Sequence, residues 1–263
     1  MNWALKRQII IVALILGVLG ILGTIILYPK LNPPPTCTDG KQNGTEQGVD
    51  CGGRCKRICP FATNDVVVKW ARAFPVTDEV WNAVAYIENP NVSAAARRVP
   101  YEFRFYDENL TFIARREGYA YIAPNGTSAI FEGGIKVGSR SPKSTEFRFL
   151  ADPVWESIDP RNNDIKIFPS NQKVENETTR PRYQATVTNT SQLYTVEDID
   201  LIAILYGADG NAVAVSQTAV EGLVPQESTN VYFTWQKPFP ASVTRTEILP
   251  RFNVFLTNFS KRL

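Results

Sequence analysis

Two stretches of this chain lie about 100 residues apart and follow one pattern, so whatever fold the first adopts the second adopts as well. Asn64-Asp65-Val66-Val67-Val68 is echoed by Asn163-Asp164-Ile165-Lys166-Ile167, and WNAVAYIENPN from Trp81 pairs with the segment running from Pro181 to Asn189. Tyr101-Glu102-Phe103-Arg104-Phe105-Tyr106-Asp107 lines up with Leu201-Ile202-Ala203-Ile204-Leu205-Tyr206-Gly207. Further on, Ile122-Ala123-Pro124 meets Leu223-Val224-Pro225, and Thr145-Glu146-Phe147 meets Thr246-Glu247-Ile248. The offset stays between 99 and 101 throughout.

Each copy reads as β-structure. Trp81, Ala83, Ala85 and Ile87 alternate with Asn82, Val84, Tyr86 and Glu88; Tyr101, Phe103 and Phe105 alternate with Glu102 and Arg104. A period of two puts the first set of each on one sheet face and leaves a mixed opposite face. Leu201, Ala203 and Leu205 hold the equivalent positions in the second copy. Asp209-Gly210 is a hairpin signal, with Asp107-Glu108-Asn109 at the same bend in copy one. Pro124-Asn125-Gly126 and Pro225-Gln226-Glu227 mark the next turn, ahead of strands around Ile130-Phe131 and Val231-Phe233. Several short strands in about 100 residues, punctuated this way, predict a mainly β protein made of two tandem immunoglobulin-like sandwiches. No cysteine is available to bridge their sheets, so each core must hold unaided.

Phe103-Arg104-Phe105-Tyr106-Asp107, followed by a turn and an I-x-P, resembles the FxLYD family of immunoglobulin-like envelope domains, which is related to the late-embryogenesis fold. The second copy keeps Leu205-Tyr206 and the Asp209-Gly210-Asn211 turn but lacks the leading Phe and trailing Asp. The two copies span residues 62–256. The resemblance implies fold and location; it carries no catalytic residue.

Ahead of the repeats, residues 9–27 read IIIVALILGVLGILGTIIL without one charge. At about 1.5 Å per residue this is a helix of about 28 Å, close to the thickness of a bilayer's hydrocarbon core. Lys6 and Arg7 precede it and a lone Lys30 follows, which by the positive-inside rule leaves the N-terminus in the cytoplasm and the rest outside. The continuation YPKLNPPP offers no small-residue cleavage site, so the segment reads as a signal anchor rather than a cleaved signal peptide. The expected order is a cytoplasmic stub (1–8), a transmembrane anchor (9–28), a proline-rich spacer (29–36), a cysteine-rich collar (37–60) and sandwiches over 61–155 and 156–263.

All four cysteines, Cys37, Cys51, Cys55 and Cys59, fall in the collar. Outside the cytoplasm they are disulfide candidates, with three connectivities open. Asp39, Asn43, Glu46 and Asp50 place oxygen ligands every few residues between glycines, which offers a site for calcium; the same residues beside glycine also make turns. The collar resembles a motif of secreted and surface proteins, mostly bacterial, C-x-D-G-x-x-N-G-x-E-x-x-x-D-C-G-G-x-C, which implies an oxidising, extracytoplasmic setting and a bacterial source.

Histidine is absent, which removes His-dependent triads and His-ligated zinc hydrolase sites. A net charge of +2, with no basic stripe, gives no case for a nucleic-acid partner. Arg97-Arg98 and Arg115-Arg116 are expected at solvated strand ends, and Trp70, Trp81 and Trp235 in cores, with Trp155 in the joint between the copies. Seven sites fit N-x-[ST], among them Asn91, Asn125 and Asn189. The expectation is a non-catalytic, membrane-anchored scaffold whose partner is an envelope protein or surface polymer. The alternatives are a pilin-like self-assembling subunit and an envelope enzyme with an unrecognised carboxylate or serine site.

Overall fold

The strands form where apolar side chains alternate, and the two sets of them close into two sandwiches. The structure, a computed structural model, describes residues 3–31, 34–159, 165–256 and 258–259. Pro33 and the Asn163-Asp164 echo lie outside them. The chain divides into two units, Met1–Cys55 and Lys56–Leu263.

The first unit opens with helix α1, Trp3–Leu31. Its segment Lys6–Leu31 is long and apolar enough to cross a membrane, with a mean hydropathy of 3.1. The helix is apolar on every side, as a membrane span is and an amphipathic surface helix is not. The collar comes next, as a run of tight turns without a strand ladder of its own.

In the second unit β1 (Val67–Pro75), β2 (Val80–Asn89) and β5 (Gly126–Lys136) form one antiparallel sheet in the order β1-β2-β5. Its partner sheet has the order β4-β3-β6, from β3 (Ala94–Tyr106), β4 (Phe112–Ile122) and β6 (Ser144–Phe149). A two-residue strand, β7 (Glu156–Ser157), pairs with the start of β3. Copy two repeats this design. Strands β8 (Ile167–Glu175), β9 (Arg182–Asn189) and β12 (Ser228–Thr234) form one sheet. Strands β10 (Tyr194–Tyr206), β11 (Ala212–Leu223) and β13 (Arg245–Arg251) form the other, and β14 (Asn258–Phe259) pairs with the start of β10.

The predicted inward positions make the cores. Ala83, Ala85, Ile87, Tyr101, Phe103 and Phe105 are buried together in copy one, where the rings of Phe103 and Phe147 lie 4.9 Å apart. Leu201, Ala203 and Leu205 pack against Tyr183 and Phe233 in copy two. The predicted bends are present, closed by Leu110 N–H to Asp107 O (3.1 Å) and Gly210 N–H to Gly207 O (3.0 Å).

Two placements differ from expectation. Trp155 is buried at one end of the first sandwich, against Ala94, Ala96, Val99 and Ile122, and takes no part in the joint. The reason is local: Ile58 donates to the Trp155 carbonyl (2.9 Å) and β7 then pairs along Ala94 and Ala95, which holds this segment on the first copy. The boundary expected between 155 and 156 therefore falls within the first sandwich. Lys56 and Ile58, assigned from sequence to the collar, also belong to its edge.

One buried asparagine serves each copy at the end of its second strand. The Asn89 amide donates to the Ala94 (2.9 Å) and Ala123 (2.8 Å) carbonyls, while its Oδ1 accepts from the Asn91 N–H (3.0 Å). Asn189 donates to the carbonyls of Tyr194 (2.8 Å) and Leu223 (2.9 Å) and accepts from the Ser191 N–H (3.0 Å). Each amide links the carbonyls of two chain segments at one end of its sandwich and is itself fully partnered there. Asn189→Ala should cost about 3 kcal/mol, because several buried polar groups lose their partner at once. Chemical denaturation of the full-length protein in detergent would measure this, and Asn89→Ala should behave alike.

Candidate interaction surfaces

The two sandwiches pack sheet on sheet. The outer face of β1-β2-β5 contributes Phe74, Val84 and Ala129, with Trp70, Tyr86 and Phe131 at its margin. The outer face of β11-β10-β13 contributes Ile202, Ile204, Tyr206, Val215 and Leu249. Trp70 stacks on Tyr86 with ring centroids 5.4 Å apart. Polar links fix the register of this apolar contact. Glu247 accepts from the hydroxyls of Tyr86 (2.9 Å) and Tyr206 (2.7 Å), one from each copy. Arg72 donates to the Ala212 carbonyl (3.0 Å) and to Asn211 Oδ1 (3.2 Å). Burial, with the Glu247 carboxylate beside it, pushes the Tyr206 hydroxyl well above its ordinary value, so it stays a donor.

Copy one thus uses one of its sheets and copy two the other, a head-to-tail contact that leaves most of one face of each free; only Val254 and Phe255 reach round to Ala95, Arg97 and Tyr121 at one end of β4-β3-β6. Strand register identifies the equivalent positions. Glu102 lies between Glu117 and Arg148, as Ile202 lies between Gln217 and Leu249; Arg104 lies between Arg115 and Glu146, as Ile204 lies between Val215 and Glu247. A face that is aliphatic where it is covered is charged where it meets solvent. Glu102 is only 2 % exposed, covered by the arginines above it rather than by the core. Arg104 (2.8 Å) and Arg148 both bind its carboxylate. Burial opposes its ionisation, but the Arg148 hydrogen bond and the Arg104 charge together hold its carboxyl below the usual range. The opposite free face, β12-β9-β8, replaces Val84, Tyr86, Ala129 and Phe131 of copy one by Gln184, Thr186, Asn230 and Tyr232. The two free faces are therefore unlike, one charged at its centre and the other built there mainly from amides and hydroxyls.

In the collar the structure selects one connectivity. Cys37 is bonded to Cys55, with Cα atoms 5.6 Å apart, and Cys51 and Cys59 are disulfide-bonded too. Closing a loop of 18 residues contributes about 3 kcal/mol to a segment with almost no core. The oxygen-bearing residues are used on turns. Asp39 accepts from the Lys41 N–H (2.9 Å) and the Asn43 amide (2.8 Å). Glu46 accepts from the Asn43 N–H (3.1 Å), and Asp50 accepts from the Gly40 N–H (3.0 Å). Glu46 is also the residue beside the Cys37–Cys55 bridge, whose sulfurs are committed to each other. Gly53 has φ +61°, and a Cβ there would lie 1.9 Å from the Thr45 carbonyl oxygen, so the second glycine of the motif is required by space and by conformation.

The remaining sequence candidates have structural partners. Arg97 pairs with Glu156 (2.7 Å) and Arg116 with Glu132 (2.8 Å), while Arg98 lies over the Tyr119 ring (3.6 Å). Arg115 pairs with Glu117 (3.2 Å). Trp81 and Trp235 pack on the two cores, and Trp235 Nε1 donates to the Val215 carbonyl (3.0 Å). Of the N-x-[ST] asparagines, Asn189 is fully buried and Asn91 nearly so, with their amides engaged; Asn125 is exposed in a turn at φ 50°. Sequence reasoning missed Glu247 and Arg72, which tie the copies together. It also missed the change of face between copies, although Glu102/Ile202 and Arg104/Ile204 stand directly opposite in the aligned repeats.

No protein-family model matches the chain, and no curated protein matches it. Among solved structures, red sea bream transglutaminase aligns at 8 % identity with a TM-score of 0.21, over 66 % of this chain and 27 % of its own. A protein described as a beta-galactosidase, from Bacteroides fragilis, aligns at 10 % identity with a TM-score of 0.19, over 66 % of this chain and 32 % of its own. The chain thus spans a third or less of either neighbour's length, and overlap this slight carries no argument about activity.

Two outcomes are expected. Gly53→Ala should prevent the collar from closing, which thiol titration of the purified protein would register as free cysteines. Glu102 should account for part of the acid sensitivity. Its carboxyl lies below the ordinary value of 4.5, so its stabilisation is present above that pH and is lost as pH falls through the depressed value. Glu102→Gln should cost about 1 kcal/mol near neutrality, since both arginines are partly solvated, and the loss should vanish in acid. Denaturation midpoints of both proteins across that pH range would show the two curves converge.

Proposed function

We propose that the chain is a non-catalytic, membrane-anchored binding or scaffold protein of the cell envelope. It acts outside the cytoplasm through its two immunoglobulin-like sandwiches. The observation that carries this reading is the use of surface in the repeats. One face of each copy is spent on holding the other copy, and the two remaining faces differ in chemistry while sharing one design. A pair joined in this way is a rigid body offering two unlike surfaces, which suits an adaptor better than a flexible string of domains does. The uniformly apolar helix with Lys6 and Arg7 ahead of it supports anchoring with the N-terminus inside. The disulfide-bonded collar supports an oxidising compartment for the sandwiches.

In-cell crosslinking of the tagged full-length protein, combined with mass spectrometry, tests the binding role. A reproducible envelope component that is lost when the sandwiches are deleted is the expected result. Recovery of this chain alone would contradict the adaptor reading. Protease added to intact cells should remove the sandwiches and spare the N-terminal stub; protection of the sandwiches would reverse the proposed topology.

A further inference from the structure

We infer that the free face of β12-β9-β8 is a binding surface for an uncharged polysaccharide, an inference that rests on the proposed binding role. Solubility alone does not account for its composition. The other free face keeps the same fold soluble with Glu102, Arg104, Arg115, Glu117 and Arg148, whereas the depression on this one is lined by uncharged residues alone. Here Lys173, Glu175 and Arg182 border the depression: Lys173 stands opposite Gln184 but is paired with Glu175 (2.6 Å), and Glu175 stands opposite Arg182. The centre is occupied by a set of amides and hydroxyls around one exposed ring.

These groups are held in place before any ligand arrives. The Asn171 amide donates to Thr186 Oγ1 (3.3 Å), and that hydroxyl donates to Asn230 Oδ1 (3.0 Å). Thr188 and Ser228 share a hydrogen bond of 2.8 Å across the next pair of positions. The relay fixes the Asn230 side chain by its oxygen and leaves its NH2 to donate outward. Among the described residues the Gln184 amide has no hydrogen-bond partner of its own. Tyr232 lies beside them, 45 % exposed, with the Arg182 guanidinium over one side of its ring at 4.2 Å. Asn171, Gln184, Thr186, Asn230 and Tyr232 line a shallow depression of about 140 Å³.

A sugar hydroxyl both donates and accepts, and the groups that match it without a desolvation penalty for charge are amides and hydroxyls of the same dual character. The apolar side of a pyranose ring matches the exposed flat face of a tyrosine. Rows of such groups repeat across the strands every 4.7–4.9 Å or so and along them every second residue, on a surface too shallow to bury a small molecule. A polymer that engages several rows at once gains what a single sugar cannot.

Full-length protein in detergent would be incubated with insoluble cellulose and chitin as neutral probes, and with an anionic alginate gel as the contrast. The expected result is retention on at least one neutral polymer, insensitive to added salt. It should fall at least tenfold in the Asn230→Ala/Tyr232→Ala double variant and stay unchanged in Glu117→Ala on the opposite face. Circular dichroism would establish that the variants are folded. Should the double variant misfold, loss of wild-type retention on adding soluble cello- or chito-oligosaccharide supports the inference, and its persistence overturns it. Failure to bind either neutral polymer, binding that the folded double variant retains, or binding only to alginate would likewise overturn it. A protein crosslinked through this face would overturn the polysaccharide inference while leaving the adaptor role intact.

Discussion

The contact between the outer face of β1-β2-β5 and that of β11-β10-β13 sets the use of every other surface in the second unit. It is apolar at the centre, where Val84 and Phe74 meet Ile202, Ile204 and Leu249, and it is oriented by Glu247, which takes one tyrosine hydroxyl from each copy. Hydrophobic burial supplies most of the driving force and has no direction; the hydrogen bonds of Glu247 and Arg72 choose one register among the slides that the flat faces would tolerate.

A contact made by unlike faces of like modules is heterologous, and heterologous contacts do not close on themselves. The charged face of copy one and the neutral face of copy two are the two halves of the same contact, left unused. Were both aliphatic, each chain could add to the next and grow a fibre. Glu102 beneath Arg104 and Arg148 at one end, and Thr186 with Asn230 at the other, stand where such growth would need aliphatic side chains. Terminal repeats of stacked modules generally need polar outer faces for this reason. The neutral end goes further than that requirement, since charges would have met it as well.

The collar reaches order by another route. Too few apolar side chains are present for a core, so covalent bridges and short polar links take its place. Asp39 and Glu46 accept backbone N–H groups two and three residues away, Asp50 accepts one from Gly40 across the collar, and Gly53 clears the Thr45 carbonyl. The spacing of the motif is the spacing these turns need. The apolar helix ahead of it is determined even more directly, by composition alone.

Local rules were enough for much of this protein. An uncharged run of this length dictates a helix suited to a bilayer. Alternation at Trp81 to Ile87 and at Tyr101 to Phe105 dictates which side chains point into each sandwich, because a strand offers only two faces. The repeat dictates that one fold occurs twice, and the glycine and asparagine turns mark where its strands end. Which outer face would be covered was beyond reach of those rules, because alternation sorts residues into two faces without saying what lies against either. Trp155 reads as a joint residue because it lies between the repeats, yet pairing of β7 with β3 holds it on the first copy. The pairing of Cys37 with Cys55 depends on how the turns of the collar fold back, and the meeting of Tyr86, Tyr206 and Glu247 on segments brought together from distant parts of the sequence. Such encounters are decided by packing over the whole unit, and only the tertiary structure displays them.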